Sequence, residues 1–400
     1  MSTVTAAATA ARTRIPDLDA LRAFALLGIL VVNITFVATG YSLNVTDPAY
    51  DSWLDDAVRW FNLSFFGMKF YLLFSFMFGY SFVLQTEAAA RAGAEFRPRM
   101  VRRLLGLLAL GAINMVFLIS GDILTVYALL GAILLAMRGV RDRTALIVAA
   151  ALYGYLLLGI GSSILFLDTS SYFDQASQIA AAEESTANLA GGFGSVVHEH
   201  IAILPLYALS QVTVQGPTTL AMFLLGMVAA RRGLLVGLTG RERWLRIVQL
   251  VGFPVGIAGG AVYASLGGNG DTLGVLVSAM TAPLLAAAYA ATLVRVVHSE
   301  RGRWLGTTLA PAGRMALSNY LGQSVAMLLI FTGVGFGLVG QVSPLEMLVF
   351  AVAIFVGQVV VSRRWLERHG HGPAEWLLRW FTNAERPAWR RRPLSRPQVG

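Results

Sequence analysis

The chain of 400 residues contains no cysteine and only one lysine, Lys69. Without cysteine there are no disulfides, no thiolate nucleophiles and no Cys-ligated metals. With one lysine, arginine carries nearly all the positive charge. Charged residues of every kind amount to 13%, about half the share of an ordinary soluble domain. The stretch 168–200 has no Lys or Arg at all, yet holds Asp168, Asp174, Glu183, Glu184 and Glu199. Residues 1–14, "MSTVTAAATAARTR", lack the apolar centre of a signal peptide and read as a disordered cytoplasmic segment.

What the chain does have is apolar length. It is 56% hydrophobic, with a mean hydropathy of +0.65, and runs near the 20 residues needed to cross a bilayer recur throughout. Ten spans can be placed, at about 20–40, 61–84, 101–119, 122–137, 144–167, 217–234, 244–266, 272–297, 313–334 and 344–362. The expected fold is all-α, a polytopic membrane helix bundle. If the N-terminus is cytoplasmic, every one of the 31 Lys and Arg residues except Arg59 and Lys69 falls on the inner side. That asymmetry places both termini in the cytoplasm and explains the net charge of +9 by topology, which leaves no case for nucleic acid as partner. The partner is the lipid bilayer, and the location read from this is a bacterial plasma membrane. An N-terminal bundle (15–167), an outer loop (168–216) and a C-terminal bundle (217–362) make up the membrane domain at 15–362. An interfacial helix is expected at 363–384 and a basic disordered tail at 385–400.

Polar groups inside apolar spans are costly and mark candidate sites. Asp19 and Arg22 stand three residues apart on one helix face, either as an ion pair at the start of the helix or as groups turned inward toward a polar substrate. Asn33 lies about three turns further along nearly the same face. Lys69 sits in "FFGMKFYLLFSFMFG", either snorkelling outward or buried, paired with an acid such as Asp122 or meeting an anionic group. Asp122 follows Gly121 in a tight outer hairpin, where it can cap the next helix, act as a base or bind a cation. Arg102 and Arg103 are topogenic charges or a dock for an anionic cytoplasmic cosubstrate. Asn319 and Gln323 share a helix face, suited to interhelical hydrogen bonds or to lining a polar cavity. The histidines fall on opposite sides of the membrane, so no metal site is expected.

Six segments carry a family resemblance: "LDALRAFALLGILVVN", "LFSFMFG", "RRLLGLLALG" with "SGDILTVYALLG", "FLLGM", "GRMALSNYLGQS" and "GPAEWLLRWFT". In this order they resemble the YeiB-like family of bacterial multi-pass membrane proteins, a family with a domain of unknown function. The family is distantly similar to transmembrane acetyltransferases such as the lysosomal heparan-α-glucosaminide enzyme. The resemblance implies transfer of an acyl group, acetyl foremost, from cytoplasmic acyl-CoA as cosubstrate to a polar or lipid-linked acceptor, with no permanently bound cofactor. Export or transport of a small polar or amphipathic solute is the alternative. It also maps the acetyltransferase pattern of an Asp, an Arg and a distal Asn onto Asp19, Arg22 and Asn33. In the acyl-transfer reading Asn33 polarises or orients the acyl carbonyl and Asp122 is the base, while Asp19 and Arg22 hold the inner gate. Lys69, Arg102, Arg103, Asn114, Asn319 and Gln323 are the candidate substrate- or cosubstrate-binding residues. The sequence departs from the pattern at Ala23, where Gly is usual, at Asn114, where His is common, and in 41–60, which has no His. The oligomeric state is open, a homodimer being one option.

Overall fold

A computed structural model describes residues 16–41, 46–166, 175–235 and 242–390. The 1–14 segment and the last ten residues of the basic tail lie outside the described residues. Within them the chain is helical, with no strand and a single isolated bridge between His369 and Arg390. The helices are α1 (Pro16–Asn33, continued by Thr35–Ala38), α2 (Trp53–Phe65), α3 (Lys69–Arg91), α4 (Phe96–Phe117), α5 (Ile123–Ala136) and α6 (Asp142–Phe166). Then come α7 (Gln175–Ala190), α8 (Phe193–Ala202), α9 (Gly216–Arg231), α10 (Glu242–Ser265), α11 (Thr272–His298), α12 (Arg303–Arg314), α13 (Ala316–Phe331), α14 (Pro344–Arg368) and α15 (Pro373–Asn383).

A helix stands at each of the ten expected spans, and among the described residues eight helical stretches are long and apolar enough to cross a membrane. The protein is an all-α polytopic membrane helix bundle. Large apolar side chains remain exposed along its flanks, among them Leu158, Leu250 and Val349, as a lipid-facing surface requires. The two remaining helices, α5 and α13, are short. Fourteen residues give α5 a length of about 21 Å, against a hydrocarbon core near 30 Å. Its first residue, Ile123, lines a cavity on each side. The stretch expected as an outer loop is itself helical over most of its length, with α7, α8, Leu204–Ser210 and a π-helical turn at Gln211–Gln215 leading into α9.

Small residues set how closely helices approach. A Cβ on Gly79 of α3 would strike the Phe223 carbonyl of α9, and one on Gly226 would strike the Phe76 carbonyl of α3. The two glycines, in "FMFG" and "FLLGM", thus let α3 and α9 pack backbone to backbone, the close approach that membrane helices use in place of a hydrophobic drive. Around this pair and α1 lies the main core, with Leu21, Leu26, Leu30, Met77 and Phe331 fully or almost fully buried.

Candidate functional site

α1 is the wall between two cavities. The first, of about 600 Å³, opens among the helix ends that the arginine distribution assigns to the inner side. Asp19 and Arg22 line it, joined at 2.8 Å, and Arg22 also donates to Ser81 Oγ of α3 at 2.5 Å. Arg99 and Arg103 of α4, Arg314 of α12 and Arg379 of α15 complete a set of five guanidinium groups. Among the described residues only two carboxylates, Asp19 and Glu375, share the same walls. Arg103 stands near Arg22 and Arg379 as like charges. A half-enclosed cleft with this excess of positive charge concentrates anions from the adjoining solution.

The second cavity, of about 960 Å³, opens on the other side. Asn33, Tyr41, Asp56, Arg59, Tyr207 and Gln211 are among its lining residues, and Asp122 lies at its base. Ile29 and Ile123 line both cavities, so the partition between them is one layer of side chains thick. The stripe on α1 is thereby resolved: Arg22 faces the inner cleft, Asn33 the outer vestibule, and Ile29 stands between.

At the partition Asp122 is buried and surrounded by donors. Its Oδ2 accepts from the Thr125 backbone N–H at 2.7 Å, which caps α5. Its Oδ1 accepts from Asn114 Nδ2 at 2.9 Å and from Tyr320 Oη at 3.3 Å. Tyr320 Oη in turn accepts from the Ile123 N–H at 3.2 Å. Asn114 Oδ1, on the far side of the amide, is buried with no hydrogen-bond partner. The cluster thus offers a carboxylate and a phenol where the two cavities come closest.

Other candidates lie apart. Lys69 is fully buried, donating to the Leu63 carbonyl at 3.1 Å with its ammonium 5.5 Å from the Tyr263 ring centre; it neither snorkels nor meets Asp122. Arg102 lines neither cavity and donates to the Pro98 carbonyl. Asn319 donates to the Ala312 carbonyl and to Ser362 Oγ, each at 3.0 Å, and Gln323 donates to Gln358 Oε1 at 3.0 Å. Both tie α13 to α14 and line neither cavity. Sequence reasoning missed Arg99, Arg314, Arg379, Tyr320 and Glu375. The arginines looked topogenic, and the amphipathic pattern of α15 pointed to lipid rather than to a cleft.

The fold and these cavities define a polytopic membrane protein with an arginine-lined cleft on one face and a polar vestibule on the other, meeting at a buried carboxylate. Residues 229–385 match the family described as "Protein of unknown function (DUF418)". The chain is 32% identical over 383 residues to the uncharacterized protein YxaH of Bacillus subtilis, covering 92% of this chain and 93% of the relative. It is also 26% identical over 391 residues to the uncharacterized protein YeiB of Escherichia coli, covering 91% and 95%. The chain belongs to this YeiB-like family.

Proposed function

We propose that the protein is a transmembrane acyltransferase of the bacterial plasma membrane, with both termini cytoplasmic. It moves an acyl group, acetyl foremost, from cytoplasmic acyl-CoA to an acceptor held in the outer vestibule. The observation that carries this reading is the meeting of two opposed cavities at Asp122, across Ile29 and Ile123. The arginines of the inner cleft suit the phosphates of CoA, and the cleft volume is within the usual range of small-molecule sites. With the phosphates at the mouth, the thioester reaches the partition. There an acceptor hydroxyl or amine attacks the acyl carbonyl carbon, the C–S bond breaks and CoA leaves as thiolate. Asp122 takes the acceptor's proton, and Tyr320 steadies the carboxylate. Asn33, from the vestibule side, offers its amide N–H to the carbonyl oxygen. The missing histidine of 41–60 is then no obstacle, because the base is the N-cap residue of α5.

The same opposed cavities also suit alternating access, in which an anionic solute passes the partition instead of reacting at it. The two readings separate in one preparation. In purified protein in nanodiscs, acyl transfer requires CoA binding and release of free thiol from acetyl-CoA, read with a thiol reagent against a chain that has no thiol of its own. Arg103→Gln should weaken CoA binding about tenfold, the loss of one charge-assisted contact. Absence of CoA binding, together with solute flux in vesicles lacking CoA, would establish transport in its place.

A further inference from the structure

Helix α13 begins without a cap of its own. Its N-cap residue, Met315, supplies no side-chain acceptor, so the first N–H groups of the helix need partners from elsewhere. Glu375 of α15 provides them. Its Oε1 accepts from the Leu317 N–H at 2.7 Å and the Ser318 N–H at 3.1 Å, and its Oε2 from Ser318 Oγ at 2.5 Å. The exchange is mutual, because the Ala374 N–H of α15 donates to Ser318 Oγ at 3.0 Å and α15 likewise has no side-chain cap of its own. Two helix starts, distant in sequence, cap one another. Gly372 leaves the room: a Cβ there would run into the Glu375 carboxylate and into Ser318 Oγ.

The junction stands between the two functional parts of the cleft. α15 contributes Glu375, Leu378 and Arg379 to its wall, and α13 contributes Leu317 and Tyr320. Tyr320, two residues past Ser318, is the side chain that meets Asp122 and the Ile123 N–H. One rigid helical turn therefore links the carboxylate of Glu375 to the carboxylate at the partition. Were the first turn of α13 to fray, Tyr320 would lose its fixed height against α5.

We propose that Glu375 is a positioning residue: by capping α13 from α15 it sets Tyr320, and through it Asp122, in register with the arginine-lined cleft. The contact chain stands on geometry alone, while its readout in turnover rests on the acyl-transfer reading. Two variants perturb the cap in different ways. Glu375→Gln keeps size and one acceptor oxygen but removes the charge. Gly372→Ala keeps every polar group and displaces the carboxylate.

Both variants should lower acetyl-CoA turnover about tenfold or more. Gly372→Ala, which keeps the charge, should leave CoA affinity within about twofold. Glu375→Gln, which takes one of the two carboxylates from the arginine-lined walls, should hold or tighten it. Adding Tyr320→Phe to Glu375→Gln should cost little further, a non-additive pair, because the phenol is already out of register. A joint that only holds the protein together would lower the melting temperature, leave turnover below it unchanged and make the pair additive; that result overturns the proposal. So does a loss of CoA affinity equal to the loss of turnover, which would make Glu375 a binding residue. If the unaltered protein binds no CoA, the acyl-transfer reading fails separately. The same pair of substitutions, read as melting temperatures, then decides the coupling: non-additivity supports it and additivity overturns it.

Discussion

Asp122 divides one carboxylate between two tasks. Oδ2 caps α5, whereas Oδ1 takes Asn114 and Tyr320 at the partition. An amide in its place still offers an oxygen to the Thr125 N–H, so most of the cap, worth about 0.5–2 kcal/mol, survives in Asp122→Asn. The acid–base capacity does not. We expect Asp122→Asn to melt within a few degrees of the parent and to release thiol from acetyl-CoA at least about 100-fold more slowly, the lower range for loss of general base catalysis. Thermal melting and thiol release on one sample check both halves, and full activity in the amide variant would reduce Asp122 to a cap. At this scale the sequence was half legible. An acid in an apolar hairpin stands out by its desolvation cost, and the Asp19, Arg22 and Asn33 stripe follows from helical spacing. Arg99, Arg314 and Arg379 did not stand out, because topology alone accounts for an arginine at the inner end of a span. Lys69 was conspicuous for its rarity, but nothing in the sequence told which wall it would be buried behind.

Elements were more legible than their partners. Apolar length fixed the positions of the spanning helices, since each must bury its backbone polar groups within itself. The starts of α5 and α13 carried the functional meaning, because Ile123 lines both cavities and Ala316 and Leu317 line the inner cleft. The pairing of α15 with α13 was hidden, as a contact across nearly sixty residues between a carboxylate and backbone N–H groups leaves no periodic trace. That pairing has a pH signature. Burial pushes the Glu375 carboxyl above its ordinary value of 4.5, against the lowering effect of its hydrogen bonds from Ser318 and Leu317. The folded state therefore holds this proton more tightly than the unfolded state does. Above 4.5 and up to the raised folded value, stability contributed by this group falls as pH rises. Melting temperatures across about pH 4 to 8 should show that downward component in the parent and lose it in Glu375→Gln. An identical slope in both proteins would remove Glu375 as its source.

For the whole molecule, the distribution of charge and the placement of cavities agree. The inner cleft gathers residues from α1, α4, α12 and α15 whose arginines were all assigned to one side, and the vestibule gathers the residues assigned to the other, Arg59 included. Such sorting is what acyl transfer across a membrane requires, with phosphates docking from the cytoplasm and the acceptor arriving from outside. It fails if the two mouths share a face. Gly139, in the α5–α6 connection, and Gly192, between α7 and α8, both have open space where a Cβ would stand, so a cysteine at either position should leave the fold intact. The chain has no other thiol to react. In intact cells Gly192→Cys should be labelled by an impermeant maleimide, and Gly139→Cys only after permeabilisation. The reverse pattern would turn the arginine-lined cleft outward, away from any supply of CoA thioester, and the acyl-transfer reading would fall with the topology. With the expected pattern, the remaining question is chemical, and thiol release by Asp122→Asn decides it.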